Sequence, residues 1–268
     1  AAALRWILLG GWAVLALNNA SKLALNVGYD VSAHIGYIDY VARLWRVPLA
    51  TDGWQMFQAP LFYLISAPVY LIAVALTSDA FLVAKLMRLI PLACGAAQVE
   101  LSFRAARRVY PGREDLQALG TLLGGLVPMN LYISQTVGNE PLAGVLTAAL
   151  IVAAWRLSDS AYDLARVIHW VGLGLLLGLA LLSKVTPVLI VAPLTLFLVR
   201  ALWRQEQTLR VRPFLWMFSA AAAVSGWYYL RNWMELGRPF IGGWDGLRGI
   251  VWWQDPGYRT AGQLLFWG

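Results

Sequence analysis

The sequence predicts an all-α, polytopic membrane bundle with about seven transmembrane helices and two juxtamembrane helices. Three observations carry that expectation. Of 268 residues, 60% are hydrophobic and 13% charged, whereas a soluble domain carries about 25% charged residues; the mean hydropathy is +0.62. The apolar stretches run to helical spanning length without strict alternation, which favours helices over an outer-membrane barrel. Fourteen tryptophans and eleven tyrosines suit rings anchored at lipid–water interfaces. The single cysteine, Cys94, excludes an intramolecular disulfide and a paired-cysteine metal site.

Apolar segments of spanning length fall at 4–24, 80–103, 114–134, 141–157, 167–182, 185–202 and 213–234. An eighth run, Pro60 to Thr77, lies near the lower limit for a crossing. Charge decides its assignment. If it crosses, Arg104, Arg107, Arg108 and Arg113 fall outside together with Arg200, Arg204, Arg210 and Arg212; if it only lies in or dips into the outer leaflet, both clusters fall in short cytoplasmic loops, with Arg156 and Arg166 in a third. The positive-inside rule prefers that second arrangement, with a cytoplasmic N-terminus. It also accounts for the net charge of +7 without nucleic acid, and the aromatic–basic stretch Trp252–Arg259 then reads as an interfacial belt.

The whole chain, 1–268, reads as one transmembrane module. Its first external loop, 26–79, holds the two juxtamembrane helices, and 237–268 is a further external loop. Val31–Arg46 is amphipathic, with Ile35, Ile38, Val41, Ala42 and Trp45 forming an apolar stripe and Asp30, His34, Asp39 and Arg43 lying elsewhere. Gly53-Trp54 breaks the chain, and Pro60 starts the second helix, where its missing N–H costs nothing. The end at Gly268, just after an aromatic loop, is expected to lie within a longer protein.

Under this topology Lys85, Arg88 and Lys184 stand on the external side next to apolar sequence. A cation there is costly unless it snorkels or finds a partner, and three on one side suggest an anionic ligand such as phosphate. Asp30 and His34, four apart, share a helix face; they can share a divalent metal ion, or the acid can orient the ring as a base. Asp30 equally suits a helix N-cap. Glu140 begins an apolar helix, where an acid complements the macrodipole, yet its short loop faces the same side. Gln58 and Tyr63 add neutral hydrogen-bonding groups. His169 reads as an interface residue at the opposite end of its helix. No P-loop, GxGxxG, HExxH or GxSxG motif occurs.

The ordered run Gly28-Tyr29-Asp30-Val31-Ser32-Ala33-His34, Tyr37, Tyr40, Pro48, Gly53-Trp54 and Gln58-Ala59-Pro60-Leu61-Phe62-Tyr63 resembles the first external loop of GT-C glycosyltransferases. The likeness is to the bacterial branch with protein O-mannosyltransferase-like and aminoarabinose-transferase-like enzymes. Lys85-Leu86-Met87-Arg88-Leu89, Leu182-Ser183-Lys184 and Trp227-Tyr228-Tyr229-Leu230-Arg231-Asn232-Trp233 are similar to later motifs of that group. The resemblance implies transfer of a sugar from a polyprenyl-phosphate donor to an acceptor glycan, lipid or protein on the external face. It implies Asp30 as base or metal ligand and Glu140 as a second catalytic acid. It further implies Arg88, Lys85 and Lys184 as donor-phosphate contacts. The sequence departs from the group where Val31 replaces a second loop acid and where Gln58-Ala59-Pro60 lacks a charged ligand. Those departures keep open a non-catalytic GT-C-like subunit that binds lipid or a partner complex. A transporter is disfavoured, because no charges lie near mid-bilayer and no inverted repeat is evident.

Overall fold

Proline and glycine cut the apolar runs into helices in the computed structural model, which describes residues 2–20, 22–24, 28, 30–158, 166–206 and 210–249. Among these residues all regular structure is helical. The helices are α1 (Ala2–Ala20), α2 (Val31–Leu44), α3 (Leu61–Leu76), α4 (Ala80–Leu86), α5 (Leu89–Val109), α6 (Glu114–Gly125), α7 (Pro128–Ile133), α8 (Glu140–Leu157), α9 (Val167–Ser183), α10 (Val191–Glu206) and α11 (Arg212–Leu236), with 3-10 turns at Thr186–Ile190 and Gly246–Arg248. Tyr29 and the aromatic stretch Trp252–Arg259 lie outside the described residues.

Among the described residues, three segments are long and apolar enough to cross a membrane: Ala80–Val109, Glu140–Leu157 and Thr186–Gln205. Leu61–Leu76 and Val167–Ser183 are apolar but shorter. Sixteen residues of α3 rise about 24 Å, short of the roughly 30 Å hydrocarbon core. The expected span 114–134 is not one helix. Pro128 opens a new helix and drives Val127 to an extended ψ of 125°, because proline disfavours the helical region for its predecessor. Twelve-residue α6 is thereby left too short to cross. Arg5, Gly10, Gly11, Asn18 and Asn19 dilute the apolar run of α1. Its outward faces are nonetheless greasy, with Trp6, Ile7 and Leu17 well exposed.

The core is divided. Trp170, Leu150, Leu177, Leu198, Leu202 and Met217 pack where α8, α9, α10 and α11 meet. Trp12 and Val99 lock α1 on α5. A third cluster, centred on Tyr37, Ile38, Phe62 and Tyr63, joins α2 to α3 and reaches Met87 and Val137. Helix α9 lies against α11 at two glycines: a Cβ on Gly174 would stand 2.2 Å from the Met217 carbonyl oxygen, and one on Gly178 would stand 2.8 Å from that of Ala221. This small-xxx-small spacing lets the backbones approach, as in membrane helix pairs.

Helix α2 corrects its expected face. Val31, His34, Tyr37, Ile38, Val41 and Ala42 are the buried set, so His34 joins the apolar side. Trp45 leaves it: it ends the helix in a left-handed conformation, φ 51°, and is 69% exposed.

Candidate functional site

The site is built at the N-terminal ends of α2 and α8 and the C-terminal end of α9. Gly28, at φ +101°, turns the chain into α2 in a conformation that favours glycine, its Cα direction facing Val31 and Thr136. Asp30 then occupies the N-cap position, but its carboxylate makes no capping hydrogen bond. The capping expectation is corrected there: the backbone carbonyl of Asp30 accepts from His34 N at 2.9 Å, while the side chain accepts from the Trp54 indole N–H at 3.2 Å. The indole reaches across from the turn between α2 and α3 and draws the carboxylate away from the helix axis.

His34 is buried, and its Nδ1 shares a 2.8 Å hydrogen bond with the Tyr63 hydroxyl. Tyr63 is fully buried and stacks on Tyr37 at 3.6 Å between ring centroids, so the imidazole is aimed by a rigid aromatic pair. The other ring nitrogen turns toward α8. A Cβ on Gly138 would lie 3.6 Å from His34 Nε2 and 2.7 Å from Glu140 Oε2, and only glycine leaves that gap open. Burial pushes the imidazole below its ordinary 6.5; Glu140 and Asp30 pull it back up, and Lys184 pushes it further down. His34 therefore senses Glu140, Asp30 and Lys184 together.

Glu140 is in the first turn of α8, as expected, and accepts from Lys184 Nζ at 2.6 Å. Lys184 is the C-cap of α9. Asn139, fully buried, ties the neighbourhood together: its Nδ2 donates to the Ser183 carbonyl at 2.8 Å and to Gln58 Oε1 at 3.2 Å. Asn139 Oδ1 and Ser183 Oγ are buried without a hydrogen-bond partner, a costly state for polar atoms.

No protein-family model, curated protein or solved structure matches this chain. The function therefore rests on the geometry. Asp30, His34, Tyr63, Gln58, Glu140 and Lys184 come together from the segments the sequence singled out. Arg88 and Lys85 do not join them. The Arg88 guanidinium is buried and donates to the backbone carbonyls of Ala24 at 2.8 Å and Leu23 at 3.5 Å, tying the chain after α1 to the start of α5. Lys85 Nζ lies 4.2 Å from the centre of the Phe81 ring, a cation–π contact within α4.

The expected metal pair does not fit. Among the described residues no three His, Cys, Asp or Glu side chains stand close enough to hold an ion. His34 Nδ1 is taken by Tyr63, and an indole N–H points at Asp30, where a cation would be repelled. No chemical step is routed through a metal here.

Sequence reasoning missed Asn139, Ser183, Gly138 and the part played by Trp54. Asn139 and Gly138 directly precede a Glu-Pro helix start, which reads as an ordinary cap and turn. Only the folded chain shows that the amide bridges two other segments.

An apolar groove of about 890 Å³ reaches Gly28 and Val31, the residues on either side of the Tyr29-Asp30 pair in sequence. It runs between α2, α3 and α4, lined by Gly28, Val31, Ile35, Tyr70, Val74 and Val83 among others, and its volume is within the range of small-ligand clefts.

Proposed function

We propose that this chain is a GT-C-like membrane glycosyltransferase of about seven crossings. It transfers a sugar from a polyprenyl-phosphate donor to an acceptor hydroxyl at the external, periplasmic face of a bacterial inner membrane. The observation that carries the reading is the convergence of Asp30, His34 and the Glu140–Lys184 pair beside a long apolar groove. Asp30 takes the acceptor proton as the new bond to the anomeric carbon forms. The bond from that carbon to the phosphate oxygen breaks, and the phosphate leaves with the electron pair. Lys184, held in place by Glu140, offsets the charge that builds on the leaving oxygen. Neutral His34 and the unpartnered Asn139 Oδ1 and Ser183 Oγ orient sugar hydroxyls, and the groove takes the isoprenoid chain.

Native mass spectrometry of the gently purified full chain tests the donor assignment. Wild type is expected to retain a polyprenyl phosphate, and Val83→Trp, which fills the groove, is expected to lose it. Ordinary phospholipid alone in both would sink the assignment. Turnover then separates chemistry from binding: Asp30→Asn should keep the bound lipid and lose about a hundredfold or more in transfer rate, as for a missing general base.

A second reading has its own support. Lys184 already meets Glu140, and Arg88 is taken by backbone carbonyls, which suits a non-catalytic subunit that binds lipid or a partner complex. In that case Asp30→Asn leaves function intact.

A further inference from the structure

The far end of α8 carries a second constellation. Arg156, in its last turn, lies about 25 Å along the helix from Glu140. There it meets Arg104, Arg107 and Arg108 from the last turns of α5 around one cavity of about 300 Å³. Among the described residues no acidic side chain lines it.

Helix dipoles favour basic residues at C-terminal ends, which accounts for arginines on each helix taken singly. It does not account for four of them turned onto one space from two helices. The acid that pairs with Arg104, Glu100 at 2.7 Å, also faces Arg5 at 3.4 Å and is thus already shared. The Arg107 guanidinium carbon lies 5.6 Å from the centre of the Phe103 ring, a cation–π contact that steadies the head of a side chain lining the cavity. Guanidinium groups present forked donors that match phosphate oxygens, more rigidly than ammonium groups.

An apolar crevice of about 270 Å³ adjoins this cavity. It runs between α8 and α9 along Ala153, Leu157, Gly172, Leu173 and Leu176, with His169 at its edge, and Arg156 lines both spaces. A charged cup continuous with an apolar channel is the shape of a phosphate-bearing lipid.

We propose that Arg104, Arg107, Arg108 and Arg156 form a binding site for a phosphate group, separate from the site at Asp30 and Glu140. The chemistry it recognises is a phosphodiester or phosphate anion. The arginine cavity takes the headgroup of an anionic phospholipid, and the adjoining crevice takes part of one acyl chain along α9.

The test uses the full chain in neutral detergent, titrated with phosphatidylglycerol, phosphatidylcholine or inorganic phosphate and read by native mass spectrometry and thermal unfolding. Phosphatidylglycerol should bind and raise the unfolding temperature, and phosphatidylcholine should not. If inorganic phosphate competes for the same site, the anion is recognised without its lipid; if it does not, the acyl crevice contributes. The double variant Arg107→Gln, Arg156→Gln should bind phosphatidylglycerol at least tenfold more weakly. Arg113→Gln removes a nearby charge that pairs with Asp115 at 2.7 Å and should bind as wild type does. A wild-type readout stands beside the variants: bound phosphatidylglycerol should protect Arg107 and Arg156, but not Arg113, from phenylglyoxal. Equal binding by the double variant and wild type, or equal modification of all three arginines, would overturn the proposal.

Discussion

His34 is the residue whose behaviour follows most directly from its surroundings. Burial holds its folded-state pKa below the unfolded 6.5, against the opposite pull of Glu140 and Asp30. Between those two values the unfolded chain binds more protons, so stability rises with pH there. The contribution is complete above pH 6.5 and is lost as pH falls through the folded-state pKa, at about 1.4 kcal/mol for each unit of displacement. Thermal unfolding in detergent from pH 7.5 down to 5 should show a steeper loss for wild type than for His34→Gln; parallel curves would refute the assignment. The Glu140–Lys184 pair is next. Its side chains are 41% and 22% exposed, so water screens it and the coupling should be about 1 kcal/mol, between surface and buried pairs. A double-mutant cycle with Glu140→Gln and Lys184→Met measures that coupling. A value at zero would mean that the pair does not hold Lys184 in place.

Among the elements, the α9–α11 contact is the one with least room. A Cβ on Gly174 would collide with a backbone carbonyl at 2.2 Å, and a carbonyl cannot swing aside as a flexible side chain can. Gly174→Ala should therefore cost about 1–3 kcal/mol by overpacking, read as a lower unfolding temperature. Gly172→Ala two residues earlier, where nothing lies within 4 Å, should be neutral. The helices themselves were largely legible in the sequence: Pro60 precedes α3, Glu140 opens α8, and Lys184 closes α9. The 114–134 segment was misread because hydropathy averages over a window, whereas Pro128 acts at one peptide. The buried face of α2 was misread because His34 and Tyr37 count as polar in a periodicity pattern. Here the hydroxyl of Tyr63 satisfies the imidazole, and the two tyrosine rings cover one another.

At the scale of the whole molecule, the candidate site was legible in its charged members and illegible in its scaffold. Asp30, Glu140 and Lys184 announce themselves because an ionic group beside apolar sequence is expensive. Asn139 and Ser183 are ordinary polar residues whose meaning comes from neighbours 81 and 44 residues away. Arg88 announced itself equally, yet its guanidinium holds backbone carbonyls. A buried cation therefore signals a partner without saying whether that partner is ligand or chain.

The loop from Pro48 to Gln58, which brings Trp54 to Asp30 and Gln58 to Asn139, is held chiefly from the far end of the sequence. The Tyr228 hydroxyl donates to the carbonyls of Phe57 and Gln58 at 3.1 and 3.2 Å, and Arg231 to that of Pro48 at 3.1 Å. Arg248 donates to the carbonyls of Ala50, Gly53 and Trp54. These bonds join residues 170 to 198 positions apart, so each closes a long loop and must offset its closure entropy. A ribosome that has released α1 through α10 has made Asp30, His34, Glu140 and Lys184 without the frame that sets Trp54 and Gln58 among them. The growing chain thus carries its polar centre unfinished until α11 and the Gly246–Arg248 turn have emerged.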